Sequence, residues 1–158
     1  MIWKPGFSDE PLSQGDLLEE CTILVWEGDE SAILRSRVIV LTQACDLAQN
    51  KSSRVIVAIV HEARTLVDQG MLKAVTIRDQ VRSHRIWGWY FLPAGSGLSE
   101  SLVDLRDLHT VPRELLEELI ANGQRVARLL TPYREHLAQH FATTYARIAL
   151  PEPYETES

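Results

Sequence analysis

The chain has 158 residues, enough for one domain with a proper core, and its 45% hydrophobic and 24% charged residues are those of a folded globular protein rather than a disordered one. A net charge of −6, with arginines scattered at positions 35, 37, 54, 78, 82 and 85, lacks the basic excess by which a dedicated nucleic-acid binder neutralises phosphates. Two cysteines, Cys21 and Cys45, with no C-x-x-C pair, cannot build a disulfide framework or a paired-cysteine zinc site, and fit a reduced cytoplasmic protein.

The first fifteen residues carry Pro5, Gly6, Pro11 and Gly15 and read as an extended arm, mobile over 1–13. They lack the apolar stretch of a signal peptide, and no apolar run in the chain approaches the roughly 20 residues of a membrane span. Gln14 to Leu18 leads into Cys21–Trp26, whose β-branched and aromatic residues predict a strand, and Glu27-Gly28-Asp29-Glu30 predicts a turn. Arg37–Thr42 and Arg54–Val60 are continuous apolar runs, as expected of strands buried on both faces. Between them Gln43–Ser53 is polar, either a loop or a short helical turn through Cys45 to Gln49.

From His61 to His84 the periodicity is helical, with an interruption at Gly70. Arg85–Leu92 predicts a strand ended by Pro93 to Gly97, and Ser101–Arg106 a shorter alternating one. Pro112 and Glu114 open a helix that Asn122-Gly123 stops. A second helix starts at Thr131-Pro132 and carries Tyr133, Leu137, Phe141, Tyr145 and Ile148 as a docking stripe, with Pro151 and Pro153 ending it and 151–158 mobile. The expectation is an α+β fold in one domain: a small SH3-like β-barrel with a helical insertion over 14–108, and two C-terminal helices over 109–150.

Chemistry concentrates at Thr42-Gln43-Ala44-Cys45-Asp46, polar groups at the end of an otherwise apolar strand. Gln43, Cys45 and Asp46 are the candidate binding residues. The ordinary alternative makes Cys45 a buried packing residue and Asp46 a turn or cap. A carboxylate beside a thiol does not activate it, so a Cys45 nucleophile needs an imidazole from elsewhere, with His61, His84 and His109 as candidates. His136 and His140 lie i, i+4 on one helix face, but no third ligand is indicated and a solvated pair is the expected reading. Trp87, Trp89, Tyr90 and Phe91 are expected to pack the core rather than stack bases, since a stacking platform comes with a basic groove. No metal and no cofactor is expected.

Gln14-Gly15-Asp16-Leu17-Leu18, the turn with Glu30 and Arg35, and the runs Arg37–Thr42 and Arg54–Val60 together resemble the MazF/PemK toxin family over residues 14–60. That resemblance implies an SH3-like barrel that dimerises and cuts single-stranded RNA without metal, with Arg35 or Arg37 as the acid or phosphate-stabilising group and Thr42 as the accompanying hydroxyl. The segments Thr42–Leu47, Val103–His109 and Pro132–His136 also resemble a group of uncharacterised bacterial proteins, which implies no activity. The acidic charge and the absence of proline in Arg35-Ser36-Arg37-Val38, where the toxin family has an Arg-Pro pair, favour a non-enzymatic protein-interaction module of a bacterial regulatory or defence-type system. Its surface is expected around Thr42 to Asp46, with a protein partner, a second copy among the candidates, and no membrane contact. The alternative is a MazF-like metal-independent endoribonuclease acting on RNA through Arg35, Arg37 and Thr42.

Overall fold

Val38 to Leu41 and Val55 to Val60 are apolar without interruption because the sheet they enter is covered on both faces. The computed structural model describes residues 2–5, 9–49 and 53–146. In chain order these form β1 (Trp3–Pro5), β2 (Asp16–Glu27), β3 (Glu30–Val40), α1 (Ala44–Ala48), β4 (Arg54–Glu62) and α2 (Ala63–Asp68). Then come α3 (Ala74–Thr76), running into a π-helical turn (Ile77–Val81), β5 (Trp89–Leu92), β6 (Ser101–Pro112), α4 (Arg113–Ala121), β7 (Arg125–Leu129) and α5 (Tyr133–Ala146). The result is a mixed α/β fold around one seven-stranded antiparallel sheet, in the order β1-β7-β2-β3-β4-β6-β5.

One face of the sheet buries a core to which every strand contributes. It runs from Trp3 through Leu17, Ile39, Val60 and Leu105 to Tyr90, Leu92 and Leu129, and Leu137 of α5 closes it. Alternate residues on the other face, Leu18, Val38, Val40, Val55 and Val57, pack with Leu47 of α1 and with Leu116 and Ile120 of α4. A third cluster, Ala63, Leu66, Ile77, Val81, Trp89 and Leu102, seats the helical insertion against β5 and β6.

No ladder joins the two edge strands among the described residues, so the expected barrel is not closed by strand pairing. The sheet nevertheless curls far enough for its edges to meet. The Trp3 indole donates to the Pro93 carbonyl at 3.0 Å, and a Cβ on Gly95 would lie 2.9 Å from Trp3 Cδ1, so only glycine allows that approach.

Several elements differ from the sequence expectation. Part of the N-terminal arm is β1, held on β7. β7 itself lies between the two C-terminal helices and returns the chain to the sheet, where only helices were expected. Residues 85–88 are not strand, because β5 begins at Trp89, and β6 continues past Arg106 to Pro112. Ile148, Pro151, Pro153 and the 151–158 end lie outside the described residues.

Candidate functional site

β3 carries both candidate arginines, and each faces a carboxylate on β2. Arg37, half-buried, places Nε 2.6 Å and Nη2 2.5 Å from Glu19 Oε1. Arg35, exposed, lies 3.9 Å from Glu20 and lines a cleft of about 610 Å3 with Glu20, Glu118, Leu119 and Gln124. A phosphate approaching either guanidinium meets a carboxylate already in place.

Thr42 is a structural clamp, its Oγ1 accepting the Ile56 N–H at 2.8 Å where the chain leaves β3. Gln43 precedes α1, and Cys45 and Asp46 occupy its first turn. Leu47 anchors that short helix in the core, and Arg113 Nη1 donates to the Leu47 carbonyl at 2.8 Å. Cys45 is exposed, which corrects the reading of it as buried packing; its thiol lies 3.7 Å from Gln43 Oε1, and no imidazole hydrogen-bonds it among the described residues. The three candidate bases are engaged elsewhere: His109 with Asp107 at 2.7 Å, His61 near the Trp89 ring, and His84 in the cluster below. Cys21 is the buried thiol, and burial pushes its pKa up to about 11.

The strongest grouping of titratable side chains lies where α5 meets β5. His140 is 5% exposed, which corrects the expectation of a solvated pair, and a third imidazole, His84, converges on it and on His136. Ring centroids of His84 and His136 are 4.5 Å apart, and those of His84 and His140 5.8 Å. His84 stacks on Tyr90, His140 stacks on Trp87, and the Tyr90 hydroxyl is hydrogen-bonded to His136 Nδ1 at 3.1 Å. His84 is brought there by a left-handed backbone, φ +60°, just beyond the π-helical turn. Among the described residues, its Nδ1 and His140 Nε2 are buried without a hydrogen-bond partner. Burial first, then the neighbouring imidazoles, hold His84 below the ordinary imidazole pKa. Burial also lowers His140, partly offset by backbone acceptors at Trp89 and Ile86. Burial pushes Tyr90 up to about 12, with Tyr133 adding to the effect. The rings border a cleft of about 270 Å3 with Gln139 and Thr143. Among the described residues no group of three or more His, Cys, Asp or Glu is arranged to hold a metal ion, and no helix is long and apolar enough to cross a membrane.

A second feature is the far half of the β2–β3 hairpin. β7 pairs with β2 only over Asp16–Leu18, and β4 pairs with β3 only over Val38–Val40, so beyond those points the two strands pair only with each other among the described residues. Glu30 to Arg35 are six consecutive exposed strand residues. The register puts Leu24 opposite Ile33 and Trp26 opposite Ser31, so Leu24, Trp26 and Ile33 share a face, with Ile33 71% and Trp26 65% exposed. The i, i+4 histidines and the turn at Gly28 were legible in the sequence. The arrival of His84, and the absence of a second partner strand beside Glu30–Arg35 among the described residues, depend on tertiary placement.

No protein-family model matches the chain, and no curated protein matches it.

Proposed function

We propose that the chain is a non-enzymatic protein-interaction module of a bacterial regulatory or defence-type system, built on an SH3-like, toxin-like barrel and acting in the cytoplasm. It takes its partner by strand addition along β3. The observation that carries this reading is the Glu30–Arg35 edge, a long strand whose main-chain groups on one side meet no other strand among the described residues, with apolar side chains beside them. Proteins ordinarily blunt such edges with lysine, proline or a covering element, and an unprotected one is a template for an incoming strand.

The occupant is an extended segment of another protein with apolar side chains at alternate positions and basic residues at one end. Thr22 to Leu34 holds Glu27, Asp29 and Glu30 and no lysine or arginine, so the turn end of the ribbon selects for positive charge. Gln43, Cys45 and Asp46, beyond the opposite end of β3, form a separate proposed contact surface. The curl of the sheet, with Trp3 reaching Pro93, supports the SH3-like reading.

The test is fluorescence anisotropy with two labelled peptides of alternating valine and threonine, one ending in two lysines and one in two glutamates. The lysine peptide is expected to bind in the micromolar range, about tenfold or more tighter than the glutamate peptide. Ile33→Asp and Trp26→Ala are expected to weaken it by about tenfold, although Ile33→Asp adds charge that favours lysine. Equal binding of both peptides, or binding indifferent to these substitutions, overturns strand addition. Self-association of the wild type that Ile33→Asp abolishes makes a second copy the occupant instead. Cleavage of single-stranded RNA in EDTA, lost in Arg35→Ala and Arg37→Ala and kept in Cys45→Ser, replaces the reading with the ribonuclease one.

A further inference from the structure

α5 is the last described element of the chain, and its contacts with the sheet divide into two kinds. Leu137 supplies an apolar anchor, with half-buried Phe141 beside it. The polar contacts are the Tyr145 hydroxyl on the Leu105 carbonyl, His136 on Tyr90, and the stacking of His140 on Trp87 and near Tyr90. His84 fills the space between, packed on Tyr90 from one side and on His136 from another.

We infer that the His84–His136–His140 cluster is a proton-operated latch that holds α5 on the sheet when the rings are neutral and releases it when they take up protons. In the neutral state one ring nitrogen of His136 is engaged by the Tyr90 hydroxyl, and the unpartnered nitrogens of His84 and His140 need no counter-ion. Protonating more than one ring places like charges within about 6 Å of one another in a half-buried site, and each charge also loses solvation it would have in water.

The surrounding charges offer no compensation. Among the described residues the titratable groups nearest the cluster are Tyr90 from β5, which burial pushes up to about 12, and Tyr133 from α5, which lies near Tyr90. Asp104 on β6 is bound to Arg106, Glu135 on α5 is bound to Arg134 and Thr131, and Arg85, beside His84, adds positive charge near Asp79. Among the described residues no carboxylate lines the cleft. Release would lift Leu137 and Phe141 from the face they cover and uncover the sheet around Tyr90 and Leu105.

Amide hydrogen exchange of the full chain, corrected for intrinsic rates, tests this at pH 7.5 and 5.5. In the wild type, α5 amides are expected to lose at least about tenfold protection between those conditions, through a local opening that dilute urea accelerates far less than it accelerates exchange of the β4 amides. His84→Gln, at a half-buried position, is expected to remove most of that fall, and His84→Gln with His140→Gln to remove the rest. Exchange of α5 and β4 amides at one protection level and with one urea sensitivity at pH 5.5 would show global acid unfolding and overturn the latch. So would an α5 response that both variants leave unchanged.

Discussion

Asp16 shows how much of this molecule rests on single side chains. Its carboxylate is fully buried, with Arg125 Nη1 3.1 Å from Oδ2 and Arg128 Nε 2.5 Å from Oδ1, while Gly15 beside it adopts φ +88° against the Leu129 carbonyl. Asp16→Ala removes the buried carboxylate that Arg125 and Arg128 share and is expected to cost about 3–5 kcal/mol, read from urea unfolding. The two thiols differ for a plain reason of access. A thiol reagent at pH 8 is expected to label Cys45 in the native chain and Cys21 only after denaturation, since Cys21 is buried and titrates near 11. Labelling of both at one rate in the native chain would contradict the burial. The sequence marked Gln14-Gly15-Asp16 as a strand lead-in, and the strand is there. What Asp16 does was not legible, because Arg125 stands 109 residues further along the chain.

At the level of elements, continuous apolar runs were the most readable signal, since only strands covered on both faces can be apolar at every position, as β3 and β4 are near Val38–Val40 and Val55–Val60. β7 was missed for the converse reason. Its alternation, with Arg125, Ala127 and Leu129 buried, has a charged residue at a core position, where Asp16 and the carbonyls of Glu10 and Pro11 meet its guanidinium. Arg85 to Gly88 carried a strand-like composition, yet Gly88 takes φ +92° to let Arg106 pack against it and over the Trp89 ring at 4.5 Å, which ends the extended run. α4 and the ribbon separate stability from recognition. Leu116→Ala, at a fully buried position between α4 and the sheet, is expected to cost about 2–5 kcal/mol. Trp26→Ala, on the exposed ribbon, is expected to leave the urea midpoint nearly unchanged. Comparable losses in the two variants would mean the ribbon packs on something within its own chain.

For the molecule as a whole, pH should act in a direction set by the imidazoles. His84 and His140 titrate below the ordinary 6.5 in the folded chain, so as pH falls through that range the unfolded chain binds more protons than the native one. Their contribution is therefore full above about pH 6.5 and is lost progressively below it. The urea midpoint is expected to be lower at pH 5.5 than at 7.5, with a smaller difference in His84→Gln; a midpoint that rises on acidification would contradict the burial of these rings. The mixed helix and strand content was legible in the sequence. The sheet order was not, because it joins residues 3–5 to 125–129 across nearly the whole described chain.

That pairing has a consequence for how the protein is made. β2, β3 and β4 pair in the order in which they are synthesised, and β6 and β5 follow onto the same growing edge. β1 is made before β2 to β7, yet among the described strands its partner is β7, which has to wait until Arg125–Leu129 has emerged. Until then Trp3, which ends fastened to Pro93 and against Gly95, is an unsatisfied apolar group on a tether. β1 is thus made before the other six strands and is among the last to find its place, and a nascent chain arrested before residue 125 would present it to chaperones.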